Sequence, residues 1–238
     1  MAQALVTGAT SGIGRAIAMA LHNAGHQVVA LGRNASALAD LSALGLQTRQ
    51  IDLTDAASLA SLADLTPDIL VNNAGMMPPL GNFCDADPAD IDLAINTNLR
   101  AVLTLTRAIA PGMRARGHGH IFFTGSTAGH AAFANLAVYC TTKAAIGGFA
   151  QALRLDMAPH NVRVTEIVAG RVETSLYNAL LPVETRAAMY AGNAAVQPED
   201  VAAMLLAVLA LPQSVDVARF DILPTHQGVA TGTPKKEA

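Results

Sequence analysis

The sequence predicts an α/β fold in which a parallel sheet of about seven strands lies between helices. Short apolar runs that end in glycine or polar turns alternate with longer helical patterns, as in consecutive right-handed βαβ units. Several runs carry apolar residues at consecutive positions, which is typical of strands buried on both faces. The chain has 238 residues, of which 52% are hydrophobic, so it can form the core of one such domain.

The alternation places the strands and helices approximately. Predicted strands cover residues 4–7, 27–31, 46–51, 69–71, 120–124, 163–167 and 218–223. Helical patterns begin near Gly12, Ala35, Asp55, Pro88, Val138 and Pro198, and two long helices are predicted over 99–113 and 137–157. Because no linker or repeat divides the chain, we expect one domain over residues 1–230, followed by a disordered tail over 231–238.

The charge and the hydropathy pattern exclude two classes of partner. A net charge of −3 leaves no basic surplus for a nucleic-acid backbone. The N-terminus shows no export signal, and the apolar stretch 201–211 is about half the length of a membrane span. We therefore expect neither a nucleic acid nor a membrane as partner.

The cysteines and histidines are not arranged as metal ligands. Cys84 and Cys140 have neither disulfide nor zinc-ligand spacing, which fits a reducing cytoplasm. His118, His120 and His130 lack supporting cysteines and carboxylates nearby in the sequence. We expect structural or solvated roles for these histidines and no metal.

A glycine-rich turn follows the first predicted strand. Residues 7–14 read TGATSGIG and lead directly into a helix, so the N–H groups of the helix N-terminus face whatever binds above the turn. The partial positive charge there favours a pyrophosphate, and the glycines permit close backbone approach. This strand, turn and helix predict a Rossmann-type, doubly wound fold that binds a dinucleotide.

Five features spread along nearly the whole chain resemble the short-chain dehydrogenase/reductase family. They are the spacing of Gly8, Gly12 and Gly14, the segment 72–75 (NNAG) after the fourth strand, Asn98 in the long helix, Ser126 after the fifth strand, and Tyr139 with Lys143 in a YxxxK pattern. The resemblance implies an oxidoreductase that moves hydride between a nicotinamide cofactor and a small carbonyl or alcohol substrate.

The resemblance also implies catalytic roles for four residues. Tyr139 would be the acid/base, Ser126 would polarise the substrate oxygen, Lys143 would hold the nicotinamide ribose and tune Tyr139, and Asn98 would support a proton-relay water. Tyr139 and Lys143 are four residues apart on a predicted helix and so share a face. We expect the Lys143 ammonium and an oxidised nicotinamide to lower the Tyr139 pKa from about 10 towards neutrality.

The cofactor contacts implied by the resemblance come from the ends of several strands and from the catalytic helix. The candidate cofactor-binding residues are Gly8, Thr10, Ser11, Gly12, Ile13, Gly14, Arg33, Asn34, Asp52, Leu53, Asn73, Ala74, Gly75, Tyr139, Lys143, Gly170, Val172 and Thr174. Asp52 matches the adenine-contacting position of the family, and the alternative is that it caps the following helix. Residues 73–75 match the segment that runs beside the adenine ribose and steadies the central sheet.

The end of the second strand favours NADP over NAD. An NAD-specific site places an acidic residue there for the ribose 2′-hydroxyl, whereas this chain has Gly32 followed by Arg33. Arg33 can make charge-assisted hydrogen bonds to a 2′-phosphate, worth about 1.5–3 kcal/mol. Ser11 occupies a position where NADP-using relatives often have a second basic residue, so NAD stays the alternative. Ser11 and Asn34 would add neutral contacts.

Local strings resemble one subgroup of the family, the NADP-dependent serine and 3-hydroxy acid dehydrogenases. They are GHQVVALGR (25–33), GHGHI (117–121), GSTAGH (125–130), VRVTEI (162–167) and LPTHQ (223–227). The implied substrates are small hydroxy acids or the matching aldehydes and ketones, with Arg171 as candidate partner of a substrate carboxylate. Ala169 replaces the proline of the family, which makes the loop beside the nicotinamide less stiff. Thr174 matches the threonine that contacts the carboxamide.

Segment 174–193 is predicted to be a mobile cover over the site. Residues that could line its apolar inner face, or be plain packing, are Phe133, Leu176, Tyr177, Leu180, Met189 and Tyr190. His130, just past Ser126, is a further candidate for the substrate pocket.

The sequence also bears on three alternative functions and on the assembly. A non-catalytic dinucleotide-binding regulator would lack the tyrosine, lysine or serine, and all three are present. An extended epimerase or dehydratase would have another glycine spacing and a large C-terminal domain. A reductase of bulkier ketones stays open. The helices over 99–113 and 137–157 resemble those that relatives pair into dimers and tetramers, so we expect a homotetramer.

Overall fold

A seven-stranded parallel sheet forms the centre of the structure, a computed structural model that describes residues 1–62 and 64–226. The strands are β1 (Gln3–Thr7), β2 (Gln27–Gly32), β3 (Gln47–Gln50), β4 (Ile69–Asn72), β5 (Gly119–Thr124), β6 (Val162–Ala169) and β7 (Arg219–Ile222). Their order is β3-β2-β1-β4-β5-β6-β7, and every neighbouring pair is parallel. Because the order reverses between β1 and β4, the connections diverge there and leave a crevice at the carboxyl ends of these strands.

Helices connect the strands, and several begin at the caps expected from the sequence. The α-helices of the described residues are α1 (Gly12–Asn23), α2 (Ala35–Ala43), α3 (Ala56–Ala60), α4 (Pro88–Ile95), α5 (Ala101–Arg116), α6 (Ala137–Met157), α7 (Val183–Tyr190) and α8 (Pro198–Leu209). Pro88 and Pro198 each stand in a first helical turn, as predicted. Asp87 caps α4 through its side chain, and α8 has a capping box formed by Gln197 and Asp200.

The apolar side chains of the strands alternate between two layers. On β1, Ala4 and Val6 pack with α1 and α8, whereas Leu5 packs with α5 and α6. On β5, Phe122 belongs to the first layer and Phe123 to the second. Burial on both faces explains the near-continuous apolar runs. The prediction of a doubly wound α/β fold is confirmed.

Each predicted strand is present, with ends that differ by a few residues. The helix predicted over 99–113 begins instead with a π-helical segment, Asn96–Arg100, and ends at Arg116, which is followed by Gly117 with a left-handed φ of 70°. The predicted cover over 174–193 contains α7, which the sequence pattern did not predict because none of its residues is buried. The predicted tail, 231–238, lies outside the described residues.

In the described part of the chain, no helix is both long enough and apolar enough to cross a membrane. Residues 1–62 and 64–226 also contain no group of three histidine, cysteine or carboxylate side chains arranged to hold a metal ion.

Candidate active site

A cleft of about 650 Å³ lies at the carboxyl ends of the strands. It extends from the glycine turn after β1, past the ends of β2 and β3, to the segments that follow β5 and β6. Every candidate cofactor residue lines this cleft except Gly14. Of the catalytic candidates, Ser126, Tyr139 and Lys143 line it, whereas Asn98 does not.

The turn before α1 lets a ligand approach the backbone. Gly8 and Gly12 have φ angles of 64° and 49°, in the left-handed region that side chains disfavour. A Cβ at Gly14 would overlap the carbonyl oxygen of Gly8 and the side-chain amide of Asn73. No side chain caps the N-terminus of α1, so its first N–H groups are available for an anion.

The segment after β4 is fixed to the end of β1 by Thr7. The Thr7 hydroxyl donates to the carbonyl oxygen of Val71 at 3.2 Å and accepts the N–H groups of Asn73 and Ala74, each at 2.9 Å. The Asn73 side chain donates to the carbonyl oxygen of Thr7 at 3.1 Å and accepts from the Thr124 hydroxyl at 3.2 Å. Asn73 thereby joins β1, β4 and β5.

The ends of β2 and β3 form the far wall of the cleft. Asp52 accepts the N–H and the hydroxyl of Thr54 at 2.9 and 2.7 Å. These bonds, together with the Arg33 charge, hold the pKa of Asp52 below its usual value. Asp55 caps α3, so the capping alternative for Asp52 is wrong. Asn34 caps α2 through its side-chain oxygen, while Arg33 is exposed at the rim.

Tyr139 lies in the first turn of α6 and is 7% exposed. Burial, followed by the nearby Tyr177, raises the pKa of Tyr139 above its ordinary value, whereas the Ser126 hydroxyl lowers it. The expectation from the sequence concerns Lys143 acting together with an oxidised nicotinamide, and it stays a prediction. Lys143 Nζ lies 5.7 Å from the centre of the Tyr139 ring, and the loss of phenolate hydration on burial is the largest influence on the Tyr139 pKa.

Lys143 is buried one helical turn beyond Tyr139. Its ammonium donates to the carbonyl oxygen of Thr124 at 2.8 Å. An ammonium has three N–H donors, so two remain for other partners. Burial lowers the pKa of Lys143 to about 8, and the carboxylate of Glu166 acts in the opposite direction.

Asn98 lies in the π-helical segment and is buried behind the cleft. Its side chain accepts the N–H of Met76 at 2.7 Å and donates to the carbonyl oxygen of the same residue at 2.8 Å. It also donates to the Thr142 hydroxyl at 3.2 Å, on the turn of α6 that carries Lys143. Asn98 thus connects the segment after β4 to α6, the helix that carries Tyr139 and Lys143.

The loop after β6 also lines the cleft. Ala169 is the last residue of β6, so the position that carries proline in the family is held by strand pairing. The N–H of Gly170 donates to the carbonyl oxygen of Ile222 at 2.9 Å. The Thr174 methyl lies so close to the turn that a Cβ at Gly12 would be 3.0 Å from it.

An apolar wall lines the cleft beside Tyr139. It consists of Met77, Ala128, Phe133, Leu136, Leu176, Tyr177 and Leu180. The sequence predicted four of these residues but not Met77, Ala128 and Leu136. The only indication for these three is that they lie close in sequence to the NNAG, GST and YxxxK motifs. The candidates Met189 and Tyr190 lie on α7 and do not line the cleft.

Arg171 lines the cleft next to this wall. Its guanidinium donates to the carbonyl oxygen of Met189 at 3.1 Å, which ties the loop after β6 to α7. Burial raises the pKa of Tyr177, and the Arg171 charge lowers it. Cys140 packs against the wall as a free thiol.

The three histidines make structural contacts. His118 Nε2 lies 3.0 Å from the Asp68 carboxylate. His120 Nε2 lies 2.8 Å from the Thr165 hydroxyl. His130, which we considered for the substrate pocket, does not line the cleft and instead contacts a buried glutamate at 2.9 Å.

Comparison with known proteins identifies the family. The short-chain dehydrogenase family model matches residues 2–184. An uncharacterized short-chain type dehydrogenase/reductase of Sinorhizobium fredii is 45% identical over 95% of this chain and 92% of that protein. The NADP-dependent 3-hydroxy acid dehydrogenase YdfG of Escherichia coli is 36% identical over 95% of this chain and 96% of that protein.

A solved structure shares both the fold and the sequence pattern. The closed form of serine dehydrogenase complexed with NADP+ superposes with a TM-score of 0.91 at 35% identity, covering 99% of this chain and 100% of that one. Together with the glycine turn, Ser126 and the Tyr139–Lys143 pair in one cleft, these matches show that the chain belongs to the short-chain dehydrogenase/reductase family of oxidoreductases.

Proposed function

We propose that this protein is an NADP-dependent oxidoreductase that interconverts an alcohol and a carbonyl compound, with Tyr139 as acid/base. One observation carries the proposal: a single cleft joins the uncapped N-terminus of α1 to Ser126, Tyr139 and Lys143. NADP as cofactor is supported by two similar proteins, an NADP-dependent dehydrogenase and a serine dehydrogenase in complex with NADP+.

The residues of the cleft fit a dinucleotide. The turn through Gly8 and Gly12 would take the pyrophosphate, since the absence of a side chain at Gly14 keeps the turn closed and the first N–H groups of α1 available. Asp52 and residues 73–75 would lie along the adenosine, and Lys143 would bind the nicotinamide ribose. When bound, the nicotinamide supplies or accepts the hydride.

Side chains of the protein transfer the proton. In carbonyl reduction, the Tyr139 hydroxyl donates its proton to the substrate oxygen while the Ser126 hydroxyl donates a hydrogen bond to it. The raised pKa of Tyr139 keeps the phenol protonated at neutral pH, as a proton donor requires. In alcohol oxidation, the same phenol must first lose its proton, and the positive charges of Lys143 and of an oxidised nicotinamide would favour this.

Arg33 supports NADP over NAD. It is exposed at the rim of the cleft, at the end of β2, where a 2′-phosphate would lie. The Asp52 carboxylate nearby accepts two hydrogen bonds from Thr54. A guanidinium here can make two parallel bonds to a phosphate.

For the substrate, we propose a small 3-hydroxy acid or the matching aldehyde or ketone. Two similar proteins are named for 3-hydroxy acids and for serine. Of the described cations in the cleft, Arg33 lies at the adenine end and Lys143 beneath the tyrosine, which leaves Arg171 for a substrate carboxylate. Arg171 makes one hydrogen bond to Met189, and a guanidinium has five N–H donors.

A reductase of bulkier, uncharged ketones is the second candidate. The apolar wall favours it, because seven mostly hydrophobic side chains offer contact area rather than hydrogen bonds to a substrate. A small hydroxy acid would leave much of this wall without a partner.

The experiment offers the purified protein NADP and NAD separately, with 3-hydroxy acids, amino alcohols and secondary alcohols, and follows the absorbance of the reduced nicotinamide. We expect turnover of one hydroxy-acid group with NADP and its loss in Tyr139→Phe. Arg171→Leu should raise KM for the acids at least ten-fold and leave neutral alcohols unchanged. Turnover of neutral ketones alone would overturn the hydroxy-acid proposal, and full activity of Tyr139→Phe would overturn the acid/base role.

We further propose one catalytic domain over residues 1–230 that acts in the cytoplasm as a homotetramer. Both cysteines are free, which suits a reducing compartment. Leu155, on the long helix α6, is 65% exposed and would be covered by a second copy. Light scattering after gel filtration measures the mass, and a monomer would contradict this assembly.

A further inference from the structure

Glu166 is a buried carboxylate that the roles above do not use. It lies on β6, where every residue is buried, and is itself only 2% exposed. One carboxylate oxygen, Oε1, is 2.9 Å from Nε2 of His130. The other, Oε2, is buried without a hydrogen-bond partner among the described residues. Such a group is costly to bury unless something nearby balances its charge.

Two glycines create the space for this carboxylate. A Cβ at Gly125, the residue before Ser126, would overlap Oε1 of Glu166. A Cβ at Gly147, one turn beyond Lys143 on α6, would lie 3.1 Å from the same oxygen. The carboxylate therefore sits against the backbone of both segments that carry catalytic residues.

The charged groups around Glu166 come from three elements. Lys143 lies on α6 one turn before Gly147, and its ammonium donates to the carbonyl oxygen of Thr124, the residue before Gly125. Both glycines lie against Glu166, and the Glu166 charge raises the pKa of the Lys143 ammonium. His130 follows β5, and its Nδ1 lies 3.5 Å from the guanidinium of Arg219 on β7. Arg219 is itself paired with Asp221 at 2.9 Å. Lys143 is thus the one buried cation among these groups.

We propose that Glu166 is a positioning residue, whose fixed negative charge keeps Lys143 in its ammonium form within the buried site. His130 and the two glycines hold the carboxylate in place. The inference rests on the proposed function, in which the Lys143 ammonium binds the nicotinamide ribose. A neutral lysine amine would bind the ribose hydroxyls less strongly and would no longer favour Tyr139 ionisation.

The test measures the dissociation constant of NADPH by fluorescence between pH 6 and pH 10. In the wild type, binding should weaken as Lys143 loses its proton, near the pKa of about 8 that burial sets. In Glu166→Gln, which keeps the shape and removes the charge, this transition should move down by about one pH unit. NADPH binding would then be about five-fold weaker at pH 8 and unchanged within two-fold at pH 6.

Glu166→Asp separates charge from packing. Asp keeps the charge and alters the shape, so the proposal expects its transition nearer the wild type than that of Glu166→Gln. A purely structural role would reverse this order. Asp156→Asn, an exposed charge removal at the end of α6, is the matched control and should leave the transition in place. If Glu166→Gln does not fold, His130→Phe should give a smaller shift in the same direction, because it removes the carboxylate's donor.

The outcomes distinguish the role of Glu166 from the role of Lys143 in cofactor binding. The role of Glu166 alone is overturned by one pattern of results. In that pattern the wild type shows the transition and Lys143→Met loses it, but neither Glu166→Gln nor His130→Phe moves it. A wild type without the transition overturns the role of Lys143 in cofactor binding and the role of Glu166 with it.

Discussion

Gly14→Ala tests whether the turn before α1 must stay closed for cofactor binding. A Cβ at position 14 would overlap the carbonyl oxygen of Gly8 and the side-chain nitrogen of Asn73. Carbon atoms normally lie about 3.5 Å or more from such neighbours. Both neighbours are held, Gly8 by its place in the turn and Asn73 by its hydrogen bonds to Thr7 and Thr124. The turn must therefore open to accommodate the methyl group.

The expected loss of stability and of NADP affinity follows from the overlap and from the hydrogen bonds that the turn would supply to a phosphate. Overpacking of this kind lowers the free energy of unfolding by about 1–3 kcal/mol. Losing a single N–H bond to a phosphate costs about 1.5–3 kcal/mol, which corresponds to a roughly 10- to 150-fold rise in the Kd for NADP. Because the overlap is with backbone, it cannot be relieved by rotating a side chain alone.

Gly148→Ala is the matched control, since it introduces the same methyl group on the exposed side of α6. A Cβ there meets no described atom within 4 Å. Alanine in a helix interior should raise stability by about 0.5–1 kcal/mol and leave the Kd for NADP unchanged. Calorimetric titration gives the Kd, and denaturant unfolding gives the stability. A Gly14→Ala protein that binds NADP within two-fold of the wild type would refute the reasoning about the turn.

Three further predictions concern stability and cofactor choice. Burial lowers the pKa of His120 to about 3, below its unfolded value of 6.5, so its contribution to stability is full above pH 6.5 and is lost as the pH falls towards 3. By pH 5 this loss is about 2 kcal/mol in total, and it should be absent from denaturant unfolding of His120→Gln; parallel pH curves for the two proteins would contradict it. Thr7→Val leaves two N–H groups, including that of Asn73, without their acceptor and should lower the unfolding free energy by about 2–4 kcal/mol; an unchanged midpoint would show that the hydroxyl is not needed. Arg33→Ala should raise the Kd for NADP about ten-fold and leave that for NAD unchanged, and equal effects on both cofactors would argue against a 2′-phosphate contact.

The sequence predicted the features that depend on local interactions. The glycine turn could be predicted because Gly8 and Gly12 need left-handed φ angles and the helix that follows starts without a cap. Tyr139 and Lys143 could be placed on one face because helical periodicity sets the spacing. The parallel sheet and the burial of its strands on both faces followed from the alternation and from the apolar runs, whereas the strand order came from the structure.

The tertiary structure decided what depends on contacts between distant segments. The desolvation that raises the pKa of Tyr139 could not be predicted from the sequence, because it depends on every segment that covers the ring. The apolar wall brings together residues that follow three different strands. In the sequence, Glu166 is a single charged residue within a strand. Its proposed role depends on the glycines and the lysine that the fold brings next to it. The sequence by itself therefore determined which chemical groups are present and which local geometry they adopt, whereas burial and charge balance, which set their reactivity, arise only when the chain is packed.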